Sequence, residues 1–336
     1  GLKAGEFDFM REFISRNWAR QYTGRAFDSG ELAKRAFENR NPGDFQGYVF
    51  NLRKPKFQDV RVRQAIGLAF DFEWMNRQLF YGLYKRVDSY FPNSEFKAEG
   101  LPGPEELALL EPLRSKLRPE VFGPPPVVPG TAPPHSLREN LRQAQALLAQ
   151  AGWTYRDGAL RNARGEAFTM EFLTDQPSLV RIVAPFQKAL EKLGIELTIR
   201  TVDFSLAKQK MDAFDFEVTS ARLPGSTAPG GELIERFGSE AAKTPGSSNS
   251  WGIADPAVDA LLQKVVQATT REQLGAALRA LDRVLSHAHI SVPHYYGSAF
   301  LIGYRPRRFV LPPTIPPYYD AHNWAMSTWW ASSANW

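Results

Sequence analysis

A change of hydrophobic period between residues 168 and 199 constrains this chain more than any other feature. Phe168-Thr169-Met170-Glu171-Phe172 alternates as a strand does, and residues 179–193 carry a helical stripe closed by Gly194. Ile195-Glu196-Leu197-Thr198-Ile199 then alternates again. This β-α-β pattern predicts an α/β fold. At 336 residues the chain exceeds the usual single-domain length of roughly 100–200, so two lobes or one large α/β unit are expected.

Gly47-Tyr48-Val49-Phe50-Asn51 reads as a strand. Asp59 is placed to cap a helix with Val62, Ile66 and Phe70 on one face. A second helix should follow Asp71, present Phe72, Met75 and Leu79, and end at Gly82. Ser136-Leu137-Arg138-Glu139 forms a capping box, and Leu141, Ala144, Leu148 and Ala151 extend its helix to Gly152. Residues 100–135 hold ten prolines, which predicts an extended surface excursion without helix or central strand. After Asp215-Phe216-Glu217-Val218 comes a loop rich in Gly, Ser, Thr and Pro up to Ser250. Helices are expected near Pro256 and Thr270, and strands with Pro-Pro turns from Ile290 onward.

Several function classes are disfavoured. No apolar run approaches the roughly 18 residues of a membrane-spanning helix. With no cysteine there is no disulfide, thiolate metal ligand or cysteine nucleophile. A formal charge of +5 would attract anions weakly, but the basic residues are scattered. Only Arg305, Arg307 and Arg308 cluster, so no nucleic-acid partner is expected. Neither a Gly-x-Ser-x-Gly elbow nor a phosphate-binding glycine loop follows a strand. The chain is read as no enzyme, with no cofactor and no metal. The rival reading is a histidine-dependent metallohydrolase acting on peptides through His287, His289 and His294.

What remains is a set of aromatic and amide-bearing loops, suited to a ligand held by stacking and main-chain hydrogen bonds. The candidate ligand-binding residues are Asn17, Trp18, Tyr22, Tyr90, Phe91, Asn93, Ser94, Arg222, Ser226, His294 and Tyr295.

Asn51, Pro55, the run Asp59-Val60-Arg61-Val62-Arg63-Gln64-Ala65 and Asp71 resemble a signature of the family 5 solute-binding proteins, the peptide and nickel binders of ABC importers. Residues 144–153 and 190–195 resemble its second and third signatures. Finer likenesses, among them Asn17-Trp18-Ala19, Ser89-Tyr90-Phe91-Pro92-Asn93-Ser94-Glu95 and Val292-Pro293-His294, are similar to the Yej-type subgroup. That subgroup is associated with oligopeptides and the peptide-nucleotide antibiotic microcin C.

The resemblance implies a periplasmic-binding-protein-like fold of type II, cluster C, with two α/β lobes and the first lobe largely missing. Residues 1–47 would be a remnant of lobe I and the hinge, 48–290 lobe II, and 291–336 a return to lobe I. It further implies an oligopeptide ligand, ABC importer permease subunits as partners, a monomer, and a periplasmic location. The export signal would lie in a missing N-terminal portion. Many peptide binders of the family carry an Asp in the loop after the strand at 215–218. Here that loop reads Ala221-Arg222-Leu223-Pro224-Gly225-Ser226, with no acid until Glu232, so a cation stands where relatives offer an anion.

Overall fold

The computed structural model describes residues 1–332. Its larger sheet has five strands in the order Ser291–Pro293, Phe45–Phe50, Val218–Leu223, Thr169–Thr174, Glu196–Thr201. The β-α-β reading corresponds to the parallel pair 169–174 and 196–201. The 45–50 strand runs antiparallel to both its neighbours. Alternation along it divides the two faces: Tyr48 and Phe50 enter one core, Phe45 and Val49 the other. Gly47 is required between them, because a Cβ there would lie 2.7 Å from the carbonyl oxygen of Val292 on the adjacent strand.

Helices cover both faces. Val60–Gly67, Phe72–Phe80, Leu137–Gln150 and Val180–Glu191 supply one core; Glu232–Phe237, Pro256–Gln267 and Arg271–His287 supply the other. Their starts follow local chemistry. Asp59, Asp71, Ser136 and Thr270 each accept a hydrogen bond from a first-turn amide. The signature residues have structural tasks as well. Asn51 is fully buried and donates from Nδ2 to the carbonyls of Phe214 and Phe216.

Three expectations need correction. The proline-rich stretch contains the helix Pro104–Leu110, because Pro104 sits in the first turn, where its missing N–H is no loss. Its Glu106 carboxylate meets the fully buried Arg283 at 2.6 Å, and Arg283 also donates to the carbonyls of Glu99, Gly100 and Gly123. One arginine thus fastens this segment to the 271–287 helix. The stretch read as a loop up to Ser250 includes the strand through Leu223 and the helices Glu232–Phe237 and Ser239–Lys243. The tail adds a helix, Ala321–Thr328, capped by Asp320.

A second sheet, of three strands, joins chain segments far apart in sequence. Ala299–Tyr304 pairs antiparallel with Phe9–Glu12 on one side and Ala33–Glu38 on the other. The 321–328 helix closes its aromatic core around Phe37, Phe300, Trp324 and Trp329. The chain passes between the two sheets at 39–44 and again at 294–298. The larger sheet accordingly reaches a few residues beyond 48–290 at each end. Residues 333–336, the end of the expected 291–336 segment, lie outside the described residues.

Candidate functional site

Two loops and a crossover segment converge at one end of the larger sheet. The 88–98 loop is held from beneath by Asp282, a carboxylate only 1% exposed on the 271–287 helix. One of its oxygens accepts from the Tyr90 amide at 2.8 Å; the other accepts from Ser89 Oγ at 2.8 Å and the Ala98 amide at 2.9 Å. Burial pushes the Asp282 carboxyl up to about 6, against the pull of those donors. The arrangement rigidifies the loop at an electrostatic cost.

On that loop Tyr90 stacks on Phe45 with centroids 4.6 Å apart and donates its hydroxyl to Ser291 Oγ at 3.2 Å. Asn93, at positive φ, donates to the carbonyls of Asn39 and Asn41. The Gly43 amide donates to the Pro92 carbonyl at 2.7 Å. The loop is therefore stitched to the crossover between the sheets.

The facing wall is the 218–223 strand and its continuation. Arg222 Nε donates to Asp44 Oδ2 at 2.7 Å, and the Gly225 amide donates to Asp44 Oδ1 at 2.9 Å. Glycine is needed at 225, where a Cβ would overlap the Pro42 carbonyl. Between the walls lies a cavity of about 20 Å³, space for about one water molecule. Tyr90, Phe91, Ser94 and Ser226 line it, with Glu232 and Arg236 from the next helix.

Six of the candidate residues thus share one neighbourhood: Tyr90, Phe91, Ser94 and Ser226 at the cavity, with Asn93 and Arg222 in its supporting walls. The other five do not reach it. Trp18 and Tyr22 are buried with Leu2 and Leu32 beside the small sheet, and Asn17 bonds to Gln21 on the same helix turn. His294 is a core residue, packed edge-on against Tyr48 and flat on Phe70. Tyr295 packs on Phe80 and Tyr84. Aromatic residues at loop boundaries read alike from sequence whether they line a site or fill a core.

The sequence reading missed Asp44. It lies in a polar stretch and acquires meaning only through the register that sets Phe45 opposite Leu223 and Gln46 opposite Arg222. The 221–226 loop itself lacks an acid, yet the neighbouring strand supplies one. Asp282 was missed too, although an Asp-Arg pair within an apolar helical face was the available signal. Among the described residues no three His, Asp or Glu side chains gather as a metal set. His287 faces the Pro124 carbonyl at 3.2 Å, whereas His294 is buried against Tyr48 and Phe70.

The comparisons agree with this architecture. The family model described as "Bacterial extracellular solute-binding proteins, family 5 Middle" matches residues 1–245. The chain is 38% identical over 336 residues to the probable peptide-binding protein YejA of Agrobacterium fabrum, covering 99% of this chain and 54% of that protein. It is 35% identical over 334 residues to the uncharacterized protein YejA of Escherichia coli K12, covering 98% and 54%. Among solved structures, the oligopeptide-binding protein AppA from Bacillus subtilis, in complex with a nonapeptide, superposes with a TM-score of 0.68. The match covers 98% of this chain and 57% of that one at 19% identity, which establishes a shared fold. The chain spans about half the length of the curated relatives it matches.

Proposed function

Because this chain belongs to the bacterial extracellular solute-binding proteins of family 5, we propose that it forms part of a periplasmic receptor that delivers oligopeptides or peptide conjugates to an ABC importer. The observation that carries this reading is the identity of 38%, over nearly the whole chain, to a protein named as a probable peptide-binding protein. The receptor acts as a monomer, meets the permease subunits at the membrane, is exported by a signal preceding this portion, and performs no catalysis. A peptide-nucleotide conjugate of the microcin C type is within its cargo class.

The three-layered unit around the five-stranded sheet serves as one lobe. The three-stranded sheet contributes to the other, and the segments 39–44 and 294–298 are the hinge between them. Cargo lies against the 88–98 loop and the 222–226 segment. A receptor that accepts many peptides reads their main chain rather than their side chains. Tyr90 and Phe91 supply flat walls, Ser94 and Ser226 supply hydroxyls, and Asn93 keeps the first loop in place. Arg222 and Asp44 present one charge of each sign and suit the ends of a zwitterionic peptide. The present cavity is small, so loading requires the 223–231 segment to part from Pro42 and Gly43.

Incubating the full-length protein with a peptide mixture and zinc, read by mass spectrometry, tests this function. Retained, chemically unaltered peptides are expected. Hydrolysis products would overturn the reading in favour of an enzyme.

A further inference from the structure

A much larger cleft lies elsewhere, beneath the proline-rich arm at 124–135. Its volume is about 630 Å³, within the range of pockets that enclose small organic ligands. The floor comes from the 60–67 helix and the end of the 271–287 helix; the arm forms the roof. That roof is pinned at three main-chain carbonyls. Pro124 accepts from His287 Nε2 at 3.2 Å, Pro129 from Arg86 at 3.4 Å, and Gly130 from Asn140 Nδ2 at 3.0 Å. The cleft is thus built from side chains that hold its lid in place.

Its charge is lopsided. Arg63, 6% exposed, spends its donors on the carbonyls of Phe57, Gln58, Ala288 and His289, so it fixes the floor and leaves a positive charge there without a carboxylate in contact. Arg61 is neutralised by Asp59 at 2.7 Å. Arg118, at the mouth, has no ion-pair partner among the described residues and keeps its donors free. Among the described residues, Glu120 is the one carboxylate on the lining. Beside His135, Gln64, Asn140, Gln143 and Ser291, the polar lining includes His287 and His289. Burial lowers both imidazoles, His289 to about 4 with further pressure from His287, Arg63 and Arg118, so both are neutral at pH 7. The apolar part of the lining comes from Pro126, Val128 and Pro129 of the arm, with Leu68 and Leu147 beneath; Val127 is turned to solvent, 91% exposed.

We propose that this cleft is a second ligand site, for a small carboxylate with an apolar body. The anionic head meets Arg118 over the Arg63 floor, with the imidazoles of His287 and His289 as additional hydrogen-bond partners. The apolar body lies along Val128 and the prolines. Its lining shares no residue with that of the cavity at Tyr90, although its Ser291 accepts from the Tyr90 hydroxyl at 3.2 Å.

The probe is 4-phenylbutyrate, with 4-phenylbutylamine as its cationic counterpart, each titrated into the full-length protein by calorimetry and followed by NMR of the histidine rings. The carboxylate is expected to bind saturably, to shift the ring resonances of His287 and His289, and to raise the titration midpoint of His289. The amine should produce none of these effects. Arg118→Ala changes an exposed residue and should weaken phenylbutyrate about tenfold or more while leaving peptide binding unchanged. Equal binding of the amine, unchanged affinity in Arg118→Ala, or silent histidine resonances would each overturn the proposal.

Discussion

Arg222 and Asp44 face one another across two adjacent strands, the guanidinium donating to the carboxylate at 2.7 Å, at the point where the second strand leaves the sheet. Asp44 also holds the Gly225 amide, so one carboxylate sets both the charge of this corner and the course of the loop that closes it. The pair is largely exposed on the Arg222 side, which limits its contribution to stability and leaves the arginine open to solvent.

Arg222→Ala in the full-length protein should therefore alter cargo preference more than folding. Peptides with a free carboxylate should lose about tenfold in affinity, in the range of one charge-assisted hydrogen bond, and capped neutral peptides should be spared. Calorimetric titration of matched free and amidated peptides checks this. Equal losses for both, or none for either, would remove Arg222 from the site.

Asp282 gives a prediction in pH. Its folded-state value of about 6 lies above the ordinary 3.8, so the folded protein holds this proton more tightly than the unfolded chain does. The resulting stabilisation is fully present below about pH 4 and is lost as pH rises through about 6. Urea unfolding of wild type and Asp282→Asn at pH 4.5 and pH 7 isolates the group. Relative to the variant, wild type should gain on the order of 2 kcal/mol at the lower pH. A pH-independent difference would contradict the assignment.

Asp282→Ala should leave the Ser89 hydroxyl and the Tyr90 and Ala98 amides without their acceptor, costing about 2–4 kcal/mol. Faster amide exchange confined to the 88–98 loop, with weaker peptide binding, would tie the carboxylate to site geometry. Uniform loosening of the whole molecule would not.

Glu106→Ala strands a fully buried arginine. Arg283 keeps its three carbonyl partners but loses the carboxylate at 2.6 Å, and Arg279 loses its contact at 3.0 Å. Thermal or urea unfolding should register about 3–5 kcal/mol. A loss below 1 kcal/mol would mean that the arginine relaxes to water.

Much of the fold was legible because its signals are local. Asp59, Asp71, Ser136 and Thr270 cap helices through amides two or three residues away, and the 168–199 period change needs no partner segment. The helix at 104–110 was hidden by counting prolines without regard to position. The site was less legible because its meaning is carried by register and long-range contact. Asp44 matters only once 45–50 pairs with 218–223, and Asp282 only once its helix lies under the 88–98 loop. His294, beside two tyrosines, resembled a site residue until packing placed it between Tyr48 and Phe70.

Native mass spectrometry of the full-length protein, purified from its own host, reads the proposed capture of peptides without any added ligand. Adducts are expected whose masses resolve, on release, into oligopeptides or peptide conjugates, and which are lost from a variant carrying Arg222→Ala together with Ser226→Trp. A protein that carries no peptide and takes up none when a peptide mixture is supplied would contradict the proposed capture.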